Sequence, residues 1–211
     1  LPPQISKPKW QTLSVQGLTF AYPHKKAVLT NIGLEIFKGQ KIALTGESGS
    51  GKSTLMYLLR GLYEPQKGSL TINEKKACDL KTLGTMTTLM PQDPEIFENT
   101  IEYNITMGLS YPKSAVKEAL RISCFDKVLS KLSEGLATDI REKGVNLSGG
   151  ERQRLALARN ILAAKDSDII LMDEATSSID MKNEKEIFQN ILSYFKDKTI
   201  IASIHRLYLT D

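Results

Sequence analysis

A chain of 211 residues with 41% hydrophobic and 25% charged residues is ordinary for one soluble globular domain and long enough to bury a sizeable core. Its net charge of +4, from 28 basic against 24 acidic residues, is spread over scattered pairs such as Lys25-Lys26 and Lys75-Lys76, which speaks for a solvated surface and against a nucleic-acid site. Cys78 and Cys124 lie far apart with no Cys or His at metal-ligand spacing, which argues against zinc sites and disulfide frameworks and fits a reducing cytosol; no apolar run approaches the roughly 20 residues of a membrane-spanning helix.

Residues Leu1 to Lys9 carry prolines and lysines without periodicity and read as a linker or loose terminus; Leu1-Pro2-Pro3 lacks the charged start and apolar centre of a signal peptide. From Trp10 to Ile36, LSVQGLTFAY and VLTNIGLEIF alternate apolar with polar residues around a turn at Pro23-His24, which predicts an antiparallel β piece. Gln40 to Thr45 is a short strand, followed by a glycine loop and a helix from about Ser53 that Gly61 ends. A strand at Ser69 to Asn73 precedes a helix-rich segment from Asn99 to Leu132, in which Val116, Leu120 and Ile122 lie near helical spacing. A helix from about Gly150 to Ala164, a fully apolar strand at Ile169 to Met172, another helix and a strand at Thr199 to Ile204 complete the chain. Strands alternating with helices predict an α/β fold with a mainly parallel sheet, to which the β piece and the helical insertion are added.

Gly46 to Thr54, GESGSGKST, satisfies G-x-x-x-x-G-K-[ST] between a strand and a helix, the context in which the pattern marks a Walker A phosphate loop. Glycines permit backbone conformations closed to other residues, so successive N–H groups converge on phosphate oxygens, and the helix N-terminus adds positive potential. Gly46, Ser48, Gly49, Ser50, Gly51, Lys52, Ser53 and Thr54 are the expected contacts. Lys52 reaches the β- and γ-phosphates, and the Ser53 hydroxyl ligates Mg²⁺. Ile169 to Glu174, IILMDE, is an apolar strand that ends in two carboxylates, the form of a Walker B strand. Asp173 is the expected Mg²⁺ ligand, and Glu174 the general base that polarises the attacking water. Asp-Glu after an apolar strand also fits plain helix capping, but beside the phosphate loop the functional reading wins.

Leu147-Ser148-Gly149-Gly150-Glu151, within GVNLSGGERQRLALARNIL, narrows the reading to one family, because it resembles the LSGGQ signature of ABC ATPases. Other elements of that family follow in the same order. Tyr22 in LTFAYP resembles the aromatic that stacks on adenine, Gln92 in MPQDPEIF the Q-loop glutamine, Ser177 to Asp180 the D-loop, and His205 in SIHRL the switch histidine. The resemblance covers nearly the whole chain. It implies a P-loop NTPase core with an N-terminal antiparallel β subdomain and a helical subdomain carrying the signature. The expected division is a linker at 1–9, a core at 10–96 and 161–211, and a helical subdomain at 97–160.

The same resemblance implies a head-to-tail dimer in which Ser148, Gly149 and Gly150 of one domain face the ATP held by the other, with Asp180 also at that site. Gln92 would sense Mg²⁺ or the attacking water, and His205 would contact the γ-phosphate. Glu151 stands where glutamine is usual, Ser178-Ile179 where Ala-Leu is commoner, and Glu47 where proline is frequent, and none of these removes a catalytic group. The family fold normally continues beyond the equivalent of Asp211, so a truncated or disordered tail is expected.

Thr138 to Gly144, TDIREKG, resembles the exporter segment TxVGExG, with Glu142 as its glutamate and Arg141 in place of its first glycine. IFENTIEYNI from Ile96 to Ile105 also resembles the exporter form. The expectation is therefore an ATPase domain fused behind a transmembrane domain, at the cytoplasmic face of a cell membrane (the inner membrane in a bacterium), with an importer subunit or a non-transport ABC ATPase as the alternatives. A non-hydrolysing module would be expected to lack Glu174 or His205, and both are present.

Overall fold

Alternating apolar residues shape the first two strands, β1 (Thr12–Ala21) and β2 (Ala27–Phe37), of the computed structural model, which describes residues 9–76, 80–140 and 147–204. Leu13, Val15, Leu18 and Phe20 of β1 turn inward, and the step from Val15 to Leu18 coincides with register shifts at which Gly17 and Asn31 adopt positive φ. The chain continues through β3 (Lys41–Leu44), α1 (Lys52–Leu59), β4 (Lys67–Ile72), the two-residue β5 (Lys75–Lys76), α2 (Leu80–Gly84) and β6 (Thr87–Met90). Then come α3 (Ile101–Thr106), α4 (Lys113–Ile122), α5 (Asp126–Leu129), α6 (Gly149–Ala163), β7 (Ile169–Asp173), α7 (Met181–Tyr194) and β8 (Thr199–Ser203).

The described residues divide into two compact units. The first comprises residues 9–76, 80–89, 167–173 and 197–204; the second comprises 90–140, 147–166 and 174–196. In the first unit β2, β1, β4 and β5 form an antiparallel sheet, and β3, β8, β7 and β6 form a second one in that order. β8 pairs in parallel with both β3 and β7. All five residues of β7 and of β8 are buried, which is why residues 169–172 and 200–202 are apolar throughout instead of alternating. Trp10, Leu13, Ile36, Met56, Leu58, Ile169, Leu171 and Ile201 share one core, so α1 is held by side chains from both sheets. Burying each Leu or Ile contributes about 1.5–3 kcal/mol.

That pairing sets a register. Leu44 lies opposite Ser203, and Ser203 opposite Asp173, so the carboxyl ends of β3, β8 and β7 finish level, where parallel sheets present their ligands.

The second unit is helical among its described residues. α6 packs on α3 and α4, and α4 also meets α7. Val116, Ala119, Leu120 and Ile122 are the buried face of α4, in keeping with their spacing. Asn104 is fully buried and clamps the preceding loop, with Oδ1 accepting from Phe97 N–H (2.8 Å) and Nδ2 donating to Phe97 O (2.8 Å). Arg159 on α6 extends the clamp by donating to Asn104 O and Glu95 O while lying 5.2 Å from the Phe97 ring centre. No helix among the described residues is long and apolar enough to cross a membrane.

Candidate active site

The first unit builds a phosphate-sized loop at the carboxyl end of β3. Between Leu44 and Lys52, Gly46, Gly49 and Gly51 take φ of 146°, 80° and 95°. The strictest requirement is at Gly51, where a Cβ would stand 2.8 Å from Leu29 Cδ2 in addition to the positive φ. Gly51 is also the N-cap of α1 and offers no side-chain acceptor, so the amides of the first helical turn face outward without an internal cap. Lys52 folds back over the loop, its Nζ donating to Gly46 O (2.8 Å) and Glu47 O (2.9 Å).

Beside the loop, Ser53 Oγ donates to Asp173 Oδ1 at 2.9 Å, and Ser203 Oγ donates to the same oxygen at 3.0 Å. Asp173 is 1% exposed, and its other oxygen, Oδ2, is buried without a hydrogen-bond partner among the described residues. A buried carboxylate oxygen left unpaired is costly, and it calls for a cation. Hydroxyl and carboxylate oxygens suit a hard divalent ion such as Mg²⁺, so the residues present fit one. Burial first, and then the charge of Asp173, push the pKa of the Tyr57 phenol above its ordinary value.

Tyr22 follows β1 and is half-buried. Its hydroxyl lies 3.1 Å from the Thr54 hydroxyl, and its ring meets Phe20 and Tyr63 edge-on at 5.0 and 5.4 Å. Tyr22, Thr54, Lys52, Ser53 and Asp173 thus gather in the first unit.

Gln92, Glu174, the signature residues and Asp180 all lie in the second unit. Glu174 has φ of +45°, a left-handed conformation that is uncommon for a residue with a side chain, and its carbonyl closes a turn with Ser177 N–H. Ser148 is the N-cap of α6 within a reciprocal capping box: its Oγ accepts from Glu151 N–H, and its own N–H donates to Glu151 Oε2 at 2.8 Å. Gly149 and Gly150 open the helix against the turn before α7, where a Cβ at position 150 would come within 3.0 Å of Ser178 O. Asp180 caps α7 by accepting from Asn183 N–H. Cys78, Glu142 and His205 lie outside the described residues.

Two neighbours were not among the expected residues. Ser203 is signalled by parallel register with Asp173, and Gln153 only by being a polar residue in line with Leu157 and Ile161 on the buried face of α6.

In sequence and fold the chain is similar to known proteins. The family model described as ABC transporter matches residues 29–177. This chain belongs to the ABC transporter family. It is 37% identical over 209 residues to the iron-sulfur clusters transporter ABCB7, mitochondrial, of Danio rerio, covering 98% of this chain and 28% of that protein. It is 39% identical over 199 residues to the lactococcin-G-processing and transport ATP-binding protein LagD of Lactococcus lactis, covering 92% of this chain and 28% of that one. A solved structure of a bacterial Atm1-family ABC exporter with ATP bound superposes with a TM-score of 0.85 at 30% identity, covering 99% of this chain and 37% of that chain. The chain therefore spans little more than a quarter of the length of these two curated relatives. Within the family it corresponds to the ABC ATPase domain, the part that binds and hydrolyses ATP, and the solved neighbour is an ABC exporter.

Proposed function

We propose that this ABC ATPase domain drives export across a membrane by closing on a second copy, or a second ATPase domain, around two ATP molecules, and that it works joined to a transmembrane domain at the cytoplasmic face. The observation that carries the reading is Asp173: a buried carboxylate that accepts from Ser53, beside a glycine loop, with one oxygen and has no hydrogen-bond partner among the described residues for the other, in a chain similar to a solved ABC exporter.

In this reading Lys52 exchanges the carbonyls of Gly46 and Glu47 for the β- and γ-phosphate oxygens, as Gly46, Ser48, Gly49, Ser50, Gly51 and Thr54 line the anion. Ser53 and Asp173 would hold Mg²⁺, and Gln92 is assigned the role of sensing the ion or the attacking water. Such an ion would supply neutralisation of the phosphate charge. Glu174 takes the proton of the attacking water, and His205 steadies the γ-phosphate. Tyr22 offers a ring to adenine, worth about 1–3 kcal/mol and indifferent to the base. Ser148, Gly149, Gly150 and Asp180 complete the site of the partner copy.

A shared site makes the rate depend on encounter. In solutions of this 211-residue chain, ATPase activity per mole should rise with protein concentration and level off once pairing saturates. A constant specific activity from a verified monomer sinks the shared site. In the same assay Tyr22→Ala should need more ATP for half-maximal rate with its tolerance of other bases unchanged, and equal affinity assigns Tyr22 to strand packing alone. For the membrane partner, the reading frame upstream of Leu1 should encode several apolar runs of roughly 20 residues.

A further inference from the structure

Gln153 is 3% exposed and lies on the inner face of α6, yet among the described residues each hydrogen-bond partner of its side chain is a backbone group from another segment. Its Nε2 donates to Gln92 O at 3.2 Å and approaches Glu174 O at 3.5 Å, while its Oε1 accepts from Ser178 N–H at 2.9 Å. One amide thus ties together the loop after β6, the residue after β7 and the turn before α7. These positions are 61, 21 and 25 residues from Gln153 along the chain.

Two further features show that the junction is tight. The start of α6 touches the same turn, since a Cβ on Gly150 would come within 3.0 Å of Ser178 O. Glu174 holds φ of +45°, a conformation that persists in a non-glycine residue only where its surroundings fix it, and Gln153 is one of the groups that touch its backbone. The 3.5 Å approach to Glu174 is weak by itself. The bonds to Gln92 and Ser178 anchor the amide that makes it.

We infer that Gln153 is a positioning residue for ATP hydrolysis: by holding the backbones of Gln92, Glu174 and Ser178 to the signature helix, it fixes the direction of the Glu174 carboxylate and the Gln92 amide. The inference rests on the reading of Glu174 as general base. It predicts a defect in the chemical step with binding left intact, because Lys52, Ser53 and Tyr22 belong to the other unit and have their own hydrogen-bond partners there.

The test uses the full chain. Gln153→Met keeps the length and apolar bulk of the side chain and removes both donor and acceptor. Its kcat should fall roughly 10–100-fold while KM for ATP stays within about threefold. Its thermal midpoint should stay close to that of the parent. Gln153→Glu keeps an acceptor for Ser178 N–H but turns a carboxylate oxygen toward Gln92 O, so it should also be slow at unchanged KM, and it carries the test if the methionine variant does not fold. A kcat within twofold of the parent in a folded Gln153→Met overturns the inference. Parallel losses of kcat, ATP affinity and thermal midpoint overturn it too, as does failure of both variants to fold, since each outcome assigns Gln153 to packing. Glu174→Gln, measured alongside, separates the two readings. If it hydrolyses ATP at the parent rate, the general-base assignment has failed; if it is slow and Gln153→Met is fast, only the role of Gln153 has failed.

Discussion

Glu174→Gln should bind ATP as the parent does and hydrolyse it roughly 10²–10⁴-fold more slowly. The substitution preserves side-chain length and hydrogen-bonding reach and removes only the charge that accepts a proton from water. It leaves Asp173, Ser53 and Ser203 in place, so the cation site and the phosphate loop keep their geometry. Binding energy that closes two copies is then gained but not released. The variant should accumulate as an ATP-bound pair that the parent, by turning over, does not retain. Size-exclusion chromatography with and without ATP, read beside a phosphate-release assay, makes the comparison. Hydrolysis within a few-fold of the parent reduces Glu174 to a structural carboxylate and moves the search for the base to His205.

Lys52→Ala should fail earlier. The ammonium has two carbonyl partners in the loop, Gly46 O and Glu47 O, and nucleotide binding replaces them with charged phosphate oxygens. Each charge-assisted bond is worth about 1.5–3 kcal/mol, so losing two weakens binding or slows turnover by roughly 10²–10⁴-fold. This variant should form no ATP-bound pair. Retention of both affinity and rate removes the phosphate-loop assignment. The two variants together place the cation before closure and the carboxylate after it.

Parts of this molecule could be read directly from residue order because the chemistry is local. GESGSGKST dictates its own loop, since the positive φ of Gly46, Gly49 and Gly51 is strained for any residue with a side chain. IILMD announces a strand buried on both faces through composition alone. By contrast β6, with the sequence TTLM, has neither alternation nor length, and it becomes a strand by lying beside β7. Ser203 joins Asp173 only once the register of β7 and β8 is known. Gln153 was hidden for a stronger reason. Its partners are main-chain atoms, which carry no residue identity, and a buried glutamine looks the same in sequence whether it meets three loops or a single neighbour.

The helices of the second unit that carry Ser148 and follow Ser178 both start on carboxylates, and that has a consequence in acid. The N–H of Ser148, and then its hydroxyl, hold the Glu151 carboxyl below the usual range, while the Asn183 side-chain amide and then its backbone N–H do the same for Asp180. A carboxyl whose pKa is lower in the folded state than in the unfolded chain adds stability above its ordinary pKa, and that contribution is lost as pH falls through the lowered value. Both groups are open to solvent, so each effect is small and screened by salt. They act at the two helix starts nearest Gly150 and Ser178, which meet in van der Waals contact. Protonation therefore weakens the caps of α6 and α7 together, at the end of α6 that presents Ser148, while the interior of α6, which has no part in these caps, is untouched.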